Sequence, residues 1–306
     1  MQTSTHSDTI ICILNGKAGA AKTLDAEKTL GALFTQHGAQ AKIIVAQGGD
    51  EIVALARQAL ESGCKLVVAG GGDGTVNTVA SVLVDMDAVL GVLPLGTLNH
   101  FAKDLKIPLA LEAAVATLVA GRAMQVDMGE VNGRRFVNNS SLGLYPAIVR
   151  QRESLQARGR GKWAAFAQAS IHALLRYPRF TISLQVKGVT VEEETPFVFI
   201  GNNRYESSGL RLGERSRMDE GRLWIYLAPR ATRLKLLGLA LQSLIGRPVE
   251  SDLRIFDAPE CRVARRRKHI HVATDGEVTT LAAPLHYRIL PRALRVMVPA
   301  ADEQMT

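Results

Sequence analysis

The stretch Gly70-Gly71-Gly72-Asp73-Gly74-Thr75-Val76-Asn77 combines free backbone, an acid and small polar donors, the materials a phosphate chain would need. It directly follows the apolar run Lys65–Ala69 and leads into Val76, Val79, Ala80 and Leu83 at helical spacing. That pattern predicts a strand, a glycine turn and a helix N-terminus. Successive glycines let the backbone approach a ligand and aim several N–H groups at one spot, where the helix dipole also favours negative charge. Glycines alone would specify only a tight turn. The flanking chemistry points further: Asp73 would repel phosphate oxygens unless a cation lay between them, and Thr75 and Asn77 add a hydroxyl and an amide.

A second turn, Pro94-Leu95-Gly96-Thr97-Leu98-Asn99-His100-Phe101-Ala102, follows another apolar run. In a parallel sheet the turns after successive strands open on one edge, so both turns could face one nucleotide. Far downstream, Asp275-Gly276-Glu277 places two carboxylates around a glycine bend. Such a pair suits a general base beside a metal-binding acid, and equally an ordinary hairpin turn. Gly16-Lys17-Ala18-Gly19-Ala20-Ala21-Lys22-Thr23 nearly spells a P-loop, but Ala21 stands where its second glycine belongs and the two later turns would go unexplained. His269, His271 and His286 lack a cysteine or acid spaced to complete a zinc site and read as surface histidines.

These residues need a scaffold. Up to about Val126, short apolar runs (Thr9–Leu14, Ala41–Val45, Lys65–Ala69, Ala88–Leu93) alternate with helical patterns (Thr23–His37, Glu51–Ser62, Val76–Val84). This predicts buried parallel strands with crossover helices. After Asp127 the rhythm becomes period two with Asn-Gly or Lys-Gly turns: Gln125–Val131 with Arg134–Asn138, and Phe180–Val186 with Val189–Gly201. Further strands are expected at Arg222–Leu227, His269–Thr274, Leu285–Leu290 and Leu294–Val298. The fold class is therefore α/β plus β: a nucleotide-binding domain with a parallel sheet over residues 1–127, and a mostly antiparallel domain over 128–306.

Composition narrows the function. With 306 residues and 47% hydrophobic content, two domains with real cores are affordable. Cys12, Cys64 and Cys261 are too few and scattered for a disulfide framework, which fits a reducing, cytoplasmic setting. The polar N-terminus lacks the build of a signal peptide, and the most apolar segment, Leu234 to Ile245, is interrupted by Lys235, Gln242 and Ser243. A net charge of +8 admits nucleotide, anionic lipid or nucleic acid as partners. Aromatic residues are only 5%, and the basic run Arg262, Arg265, Arg266, Arg267, Lys268 has none interleaved, which argues against nucleic acid. That run reads as a solvated strand edge or loop.

Together, Gly71 to Asn77, Pro94 to Asn99 and Asp275-Gly276-Glu277 resemble the signature of the diacylglycerol kinase catalytic-domain superfamily, which includes bacterial lipid kinases, sphingosine kinases and ceramide kinases. Val126-Asp127-Met128-Gly129 and Met218-Asp219-Glu220-Gly221 fall in the family's order, so the likeness spans nearly the whole chain. The resemblance implies an N-terminal α/β domain, a C-terminal β-sandwich to which the last strand need not belong, and a nucleotide in the cleft. It implies ATP-dependent phosphorylation of a lipid substrate with a free hydroxyl, at the inner face of the membrane as a peripheral protein. ATP would be held by Asn15, Gly71, Gly72, Asp73, Gly74, Thr75, Asn77, Gly96, Thr97 and Asn99. Asp275 would be the general base, with Glu277, Asp73 and Asp127 organising Mg2+ and water. Metal ligands would come from Glu277 and Asp73, and from Glu220 if a second, structural ion is bound.

This chain departs from the family in its first loop, Asn15-Gly16-Lys17-Ala18-Gly19, where Asn-Pro is usual, and in His100, where the family often has Asp. Two segments could meet a membrane or simply pack: Arg150, Arg152, Arg158, Arg160 and Lys162 before Trp163, Phe166, Ile171, Leu174 and Leu175, and the apolar positions Leu234, Leu237, Leu241, Leu244 and Ile245. Two alternatives stay open, an NAD-kinase-like enzyme acting on a polar substrate and a non-catalytic nucleotide-binding regulator. The sequence carries no signal for an oligomeric state.

Overall fold

The computed structural model describes residues 10–16, 20–157, 161, 164, 168–170, 172, 179–206, 215–229 and 253–300. Lys17, Arg158, Arg160, Lys162, Trp163, Phe166, Ile171, Leu174, Leu175 and the 234–245 segment lie outside the described residues. In chain order the first elements are β1 (Ile10–Asn15), α1 (Ala20–Gln36), β2 (Ala41–Ala46), α2 (Gly49–Glu61), β3 (Leu66–Gly71), α3 (Asp73–Leu83), β4 (Val89–Pro94), α4 (His100–Asp104) and α5 (Leu111–Ala120). Then come β5 (Arg122–Val131), β6 (Arg134–Phe136), β7 (Asn139–Gly143), α6 (Leu144–Ala157), β8 (Phe180–Val186), β9 (Val189–Thr195), β10 (Phe197–Asn202) and β11 (Leu223–Leu227). The last are β12 (Arg254–Ala258), β13 (Glu260–Ala264), β14 (His269–Thr274), β15 (Glu277–Ala282) and β16 (Leu285–Val298). The chain divides into two compact units, one of the chain up to Val126 together with that from Arg292 onward, the other Asp127–Pro291.

In the first unit the parallel strands run in the order β2-β1-β3-β4, and the end of β16 adds a further parallel strand through Arg295↔Val89 and Val296↔Leu90. Leu30 and Phe34 of α1 and Ala114, Val115 and Leu118 of α5 pack on Cys12, Leu14, Val68 and Leu93, all buried. Ile13, Val67 and Ala69 alternate with these and are equally buried, as strands covered on both faces require. Each buried Leu or Val here contributes about 1.5–3 kcal/mol. The chain order reverses between β1 and β3, the switch point at which open α/β sheets place a ligand crevice outside the C-terminal ends of the strands.

The second unit is the antiparallel sandwich the family resemblance implied. One sheet runs β12-β11-β10-β7-β14-β15. The other contains the first half of β16 with β13, β8 and β9, and the end of β5 with β6. Leu142, Val198, Ile200, Leu223, Ile225 and Val272 from the first meet Ile182, Leu184, Val263, Leu285 and Tyr287 from the second in one core. The hairpin turns fall on Asn132-Gly133 and Lys187-Gly188, whose positive φ values (46° and 82°; 50° and 76°) are those of the two-residue turn that matches strand twist.

Two strand expectations are corrected. Val189–Gly201 is two strands, because Pro196 lacks a ladder donor and breaks the run between β9 and β10. Leu285–Leu290 and Leu294–Val298 are one strand, β16, with Arg292 at φ 52° marking the irregularity that read as a gap. All three cysteines are buried free thiols, and burial pushes Cys12 and Cys261 up to about 12. Among the described residues no helix is long and apolar enough to cross a membrane.

Candidate active site

In the first unit, three loop ends converge at the β1/β3 crevice. α3 begins at Asp73 with Gly72 as its N-cap in extended conformation, and among the described residues no side chain makes a capping hydrogen bond there. Those donors remain available to an anion. Asn15, at the end of β1, donates through Nδ2 to Thr75 Oγ1 at 3.0 Å, joining the first loop to the glycine turn. The second turn lies directly against the first: Leu95 N donates to Gly71 O at 3.0 Å, and a Cβ on Gly96 would fall 2.4 Å from Gly72 Cα. Only glycine permits that approach, and it keeps side-chain bulk out of the crevice. Asn99, itself left-handed at φ 51°, accepts from Gly96 N and donates to the Pro94 and Gly96 carbonyls, which locks the turn.

Asp73 bridges the two turns. Its carboxylate accepts from His100 N at 3.2 Å and Phe101 N at 3.1 Å, capping α4. His100 therefore contributes its backbone here, whatever its side chain. Thr97 is exposed, whereas Asn77 is half-buried on α3.

In the second unit, Asp275 and Gly276 form the two-residue turn between β14 and β15, with φ of 47° and 86°. The Asp275 side chain folds back onto the 137–139 backbone. Its Oδ2 accepts from Val137 N at 2.8 Å, and its Oδ1 accepts from Asn138 N at 2.9 Å and Asn139 N at 3.0 Å. Desolvation raises its pKa to about 6, outweighing those three N–H groups and the nearby Arg215 cation, all of which act downward. Three of the carboxylate's roughly four acceptor positions are taken, which leaves room for one proton. Tyr145, at the start of α6, stands over this turn: its hydroxyl would be 3.8 Å from a Cβ on Gly276.

Behind Asp275 lies a polar network that the sequence did not reveal. Arg215 is buried, donating to the carbonyls of Val137 at 2.8 Å and Asn202 at 3.0 Å and to Asn138 Oδ1 at 2.7 Å. Asn202 Nδ2 donates to the carbonyls of Asp127 and Val137, both at 2.9 Å. Asn203 Oδ1 accepts from Glu220 N. The only sequence signal was the doublets Asn138-Asn139 and Asn202-Asn203 at the ends of apolar runs.

Asp127 is fully buried, its carboxylate accepting from Gly221 N at 2.6 Å. Glu277 points outward to Arg134 at 2.9 Å. Glu220 Oε2 accepts from Trp224 Nε1 at 3.0 Å and Arg204 N at 3.3 Å, with the Arg204 guanidinium over the Trp224 ring. Among the described residues no group of three or more His, Cys, Asp or Glu side chains gathers to hold a metal ion.

Two family descriptions match this chain: the diacylglycerol kinase catalytic domain over residues 9–131, and the YegS C-terminal NAD kinase beta sandwich-like domain over residues 143–298. It is 31% identical to "Probable lipid kinase YegS" of Salmonella gallinarum over 94% of this chain and 95% of that protein. It is 28% identical to the protein of the same name from Escherichia fergusonii, with the same coverage. A crystal structure of a diacylglycerol kinase from Bacillus anthracis str. Sterne shares the fold with a TM-score of 0.71 at 18% identity, covering 97% of this chain and 99% of that one. Another crystal structure from that organism gives 0.78 at 20% identity, covering 98% and 99%. By its two domain matches and its full-length relatives, the chain belongs to the diacylglycerol kinase catalytic-domain family, with the YegS-type C-terminal sandwich, and is a kinase.

Proposed function

We propose that this kinase transfers the γ-phosphate of ATP to a lipid hydroxyl, with Asp275 as general base. The observation that carries the assignment is the Asp275 carboxylate, oriented by three backbone N–H groups yet raised to about 6, a base poised to take a proton near neutral pH.

In this reading the N–H groups at the start of α3 and the Gly96 turn bind the phosphates, and Asn15 and Thr75 fix the crevice wall. Asp73, with phosphate oxygens completing the ligand set, would hold Mg2+, which neutralises charge on the transferring phosphoryl group. The small donor set suits Mg2+, which commonly takes one or two carboxylates plus phosphates rather than an all-protein cage. Asp275 accepts the hydroxyl proton as the lipid oxygen attacks the γ-phosphorus and ADP departs. Asp127 supports this indirectly, tying β5 to the 218–221 turn. Tyr145 is placed to orient the acceptor beside the base. The protein would work from the cytoplasm, peripherally at the inner face of the membrane.

The NAD kinase-like character of the sandwich favours a second reading, a polar dinucleotide acceptor. Transfer of labelled phosphate from Mg·ATP to a panel of diacylglycerol, monoacylglycerol, sphingoid base, ceramide and phosphatidylglycerol in mixed micelles, with NAD as a further acceptor, separates the two. We expect one lipid to be labelled, and Asp275→Asn to lower turnover about a thousandfold with nucleotide binding retained. Labelling of NAD alone, or full turnover in Asp275→Asn, would overturn the proposal.

A further inference from the structure

Many cations of the second unit are held by carboxylates, and a few exposed ones are not. Arg134, Arg135, Arg179, Lys187, Arg217, Arg222, Arg254 and Arg288 each sit in an ion pair with a carboxylate. Arg266, Arg267 and Lys268, in the loop between β13 and β14, are exposed and have no such partner among the described residues, and neither has Arg150 on α6. Arg265 of the same loop lies over the Phe180 ring at 3.9 Å instead of on an acid.

These groups share one face. Helix α6 packs on β7, β14 and β15. Its first turn puts Tyr145 over the Asp275-Gly276 bend at one end of β14. Farther along, the protonation of His271, midway along β14, is disfavoured first by burial and then by the nearby charges of Arg150 on the helix and Arg267 in the loop. Burial and then Arg267 likewise oppose the charge of Arg265. The helix thus runs back along β14, from the candidate base toward the basic loop. Holding like charges together without counter-ions costs self-repulsion that an external anionic surface would relieve.

We propose that the 265–268 loop and Arg150 form a docking face for an anionic lipid bilayer. No aromatic residue is interleaved in the loop to stack a base, which separates this face from a nucleic-acid groove. Its continuity with the Asp275 turn along β14 would bring a lipid headgroup from the bilayer toward the base. The inference deepens the lipid-kinase reading, from which it takes its partner, but binding can be measured without turnover, so each can fail alone.

The test is co-sedimentation of the full chain with vesicles of phosphatidylcholine plus phosphatidylglycerol, against phosphatidylcholine alone. We expect binding only to the anionic vesicles, weakening as salt rises. Each basic residue near such a surface is worth about fivefold in partitioning, so Arg266→Glu/Arg267→Glu/Lys268→Glu should lose on the order of a hundredfold or more. The charge-matched control Lys42→Glu/Arg57→Glu/Arg122→Glu, on exposed positions of the first unit, should lose far less. Phosphorylation of a short-chain soluble acceptor should be unchanged in the loop variant. The proposal falls if wild type ignores anionic vesicles, if the two triple variants lose binding equally, or if the loop variant loses RNA binding while vesicle binding stays intact.

Discussion

The two halves of the candidate chemistry are built in opposite ways. At the glycine turns of the first unit nearly everything is backbone and local: Gly72, Asp73 and Thr75 are neighbours in sequence, and the second turn docks through Gly96 and Asn99 a short distance on. Asp275 in the second unit is held by residues 136 to 138 positions away, which Arg215, Asn138 and Asn202 brace in turn. A cradle for phosphate can be specified by a short string of glycines because it uses N–H groups that every residue has. A poised carboxylate needs a particular degree of desolvation, which only a folded neighbourhood supplies.

Breaking each half should therefore leave different signatures. Arg215→Met removes the donor to three buried acceptors and should cost about 3 kcal/mol of stability, read as a lower denaturation midpoint with nucleotide affinity intact in the folded protein. Gly96→Ala drives a Cβ into Gly72 and Asn99. It should weaken binding of an ATP analogue about thirtyfold, roughly 2 kcal/mol, while short-chain lipid KM holds.

The pH profile sharpens the contrast. Asp275 is protonated below about 6 and cannot then take a proton, so kcat/KM should rise about tenfold per pH unit up to that point and level off above it. Nucleotide binding should lack that step. The smallest effect belongs to a glycine outside both sites: Gly133→Ala, with open space around it but φ at 82°, should cost about 1 kcal/mol by thermal melting and change neither substrate constant.

The same contrast explains what could be read from the chain. The strands β1 to β4 and helices α1 to α3 were legible because buried parallel strands are continuous apolar runs and their helices are amphipathic. The fifth helix was missed since LEAAVATLVA is apolar all round and carries no periodic contrast. Strand β7, Asn-Ser-Ser-Leu-Gly, is too polar to announce itself, yet it lies at the centre of its sheet between β10 and β14. The glycine turns and Asp275 stood out by type and spacing. Arg215 did not, because nothing in a lone arginine foretells burial.

The strand that flanks β4 is made last. Val89 and Leu90 pair with Arg295 and Val296, Asp85 N donates to Ala293 O, and Asp87 pairs with Arg295. During synthesis β4 emerges roughly two hundred residues before its neighbour, an interval of about 10 to 40 s at ordinary elongation rates. Throughout that time the nascent sheet presents an apolar strand with an unpaired row of backbone groups, the template on which chains aggregate. The growing polypeptide thus carries this open edge before Asp275 has been made, and a chaperone that shields the edge would raise its yield.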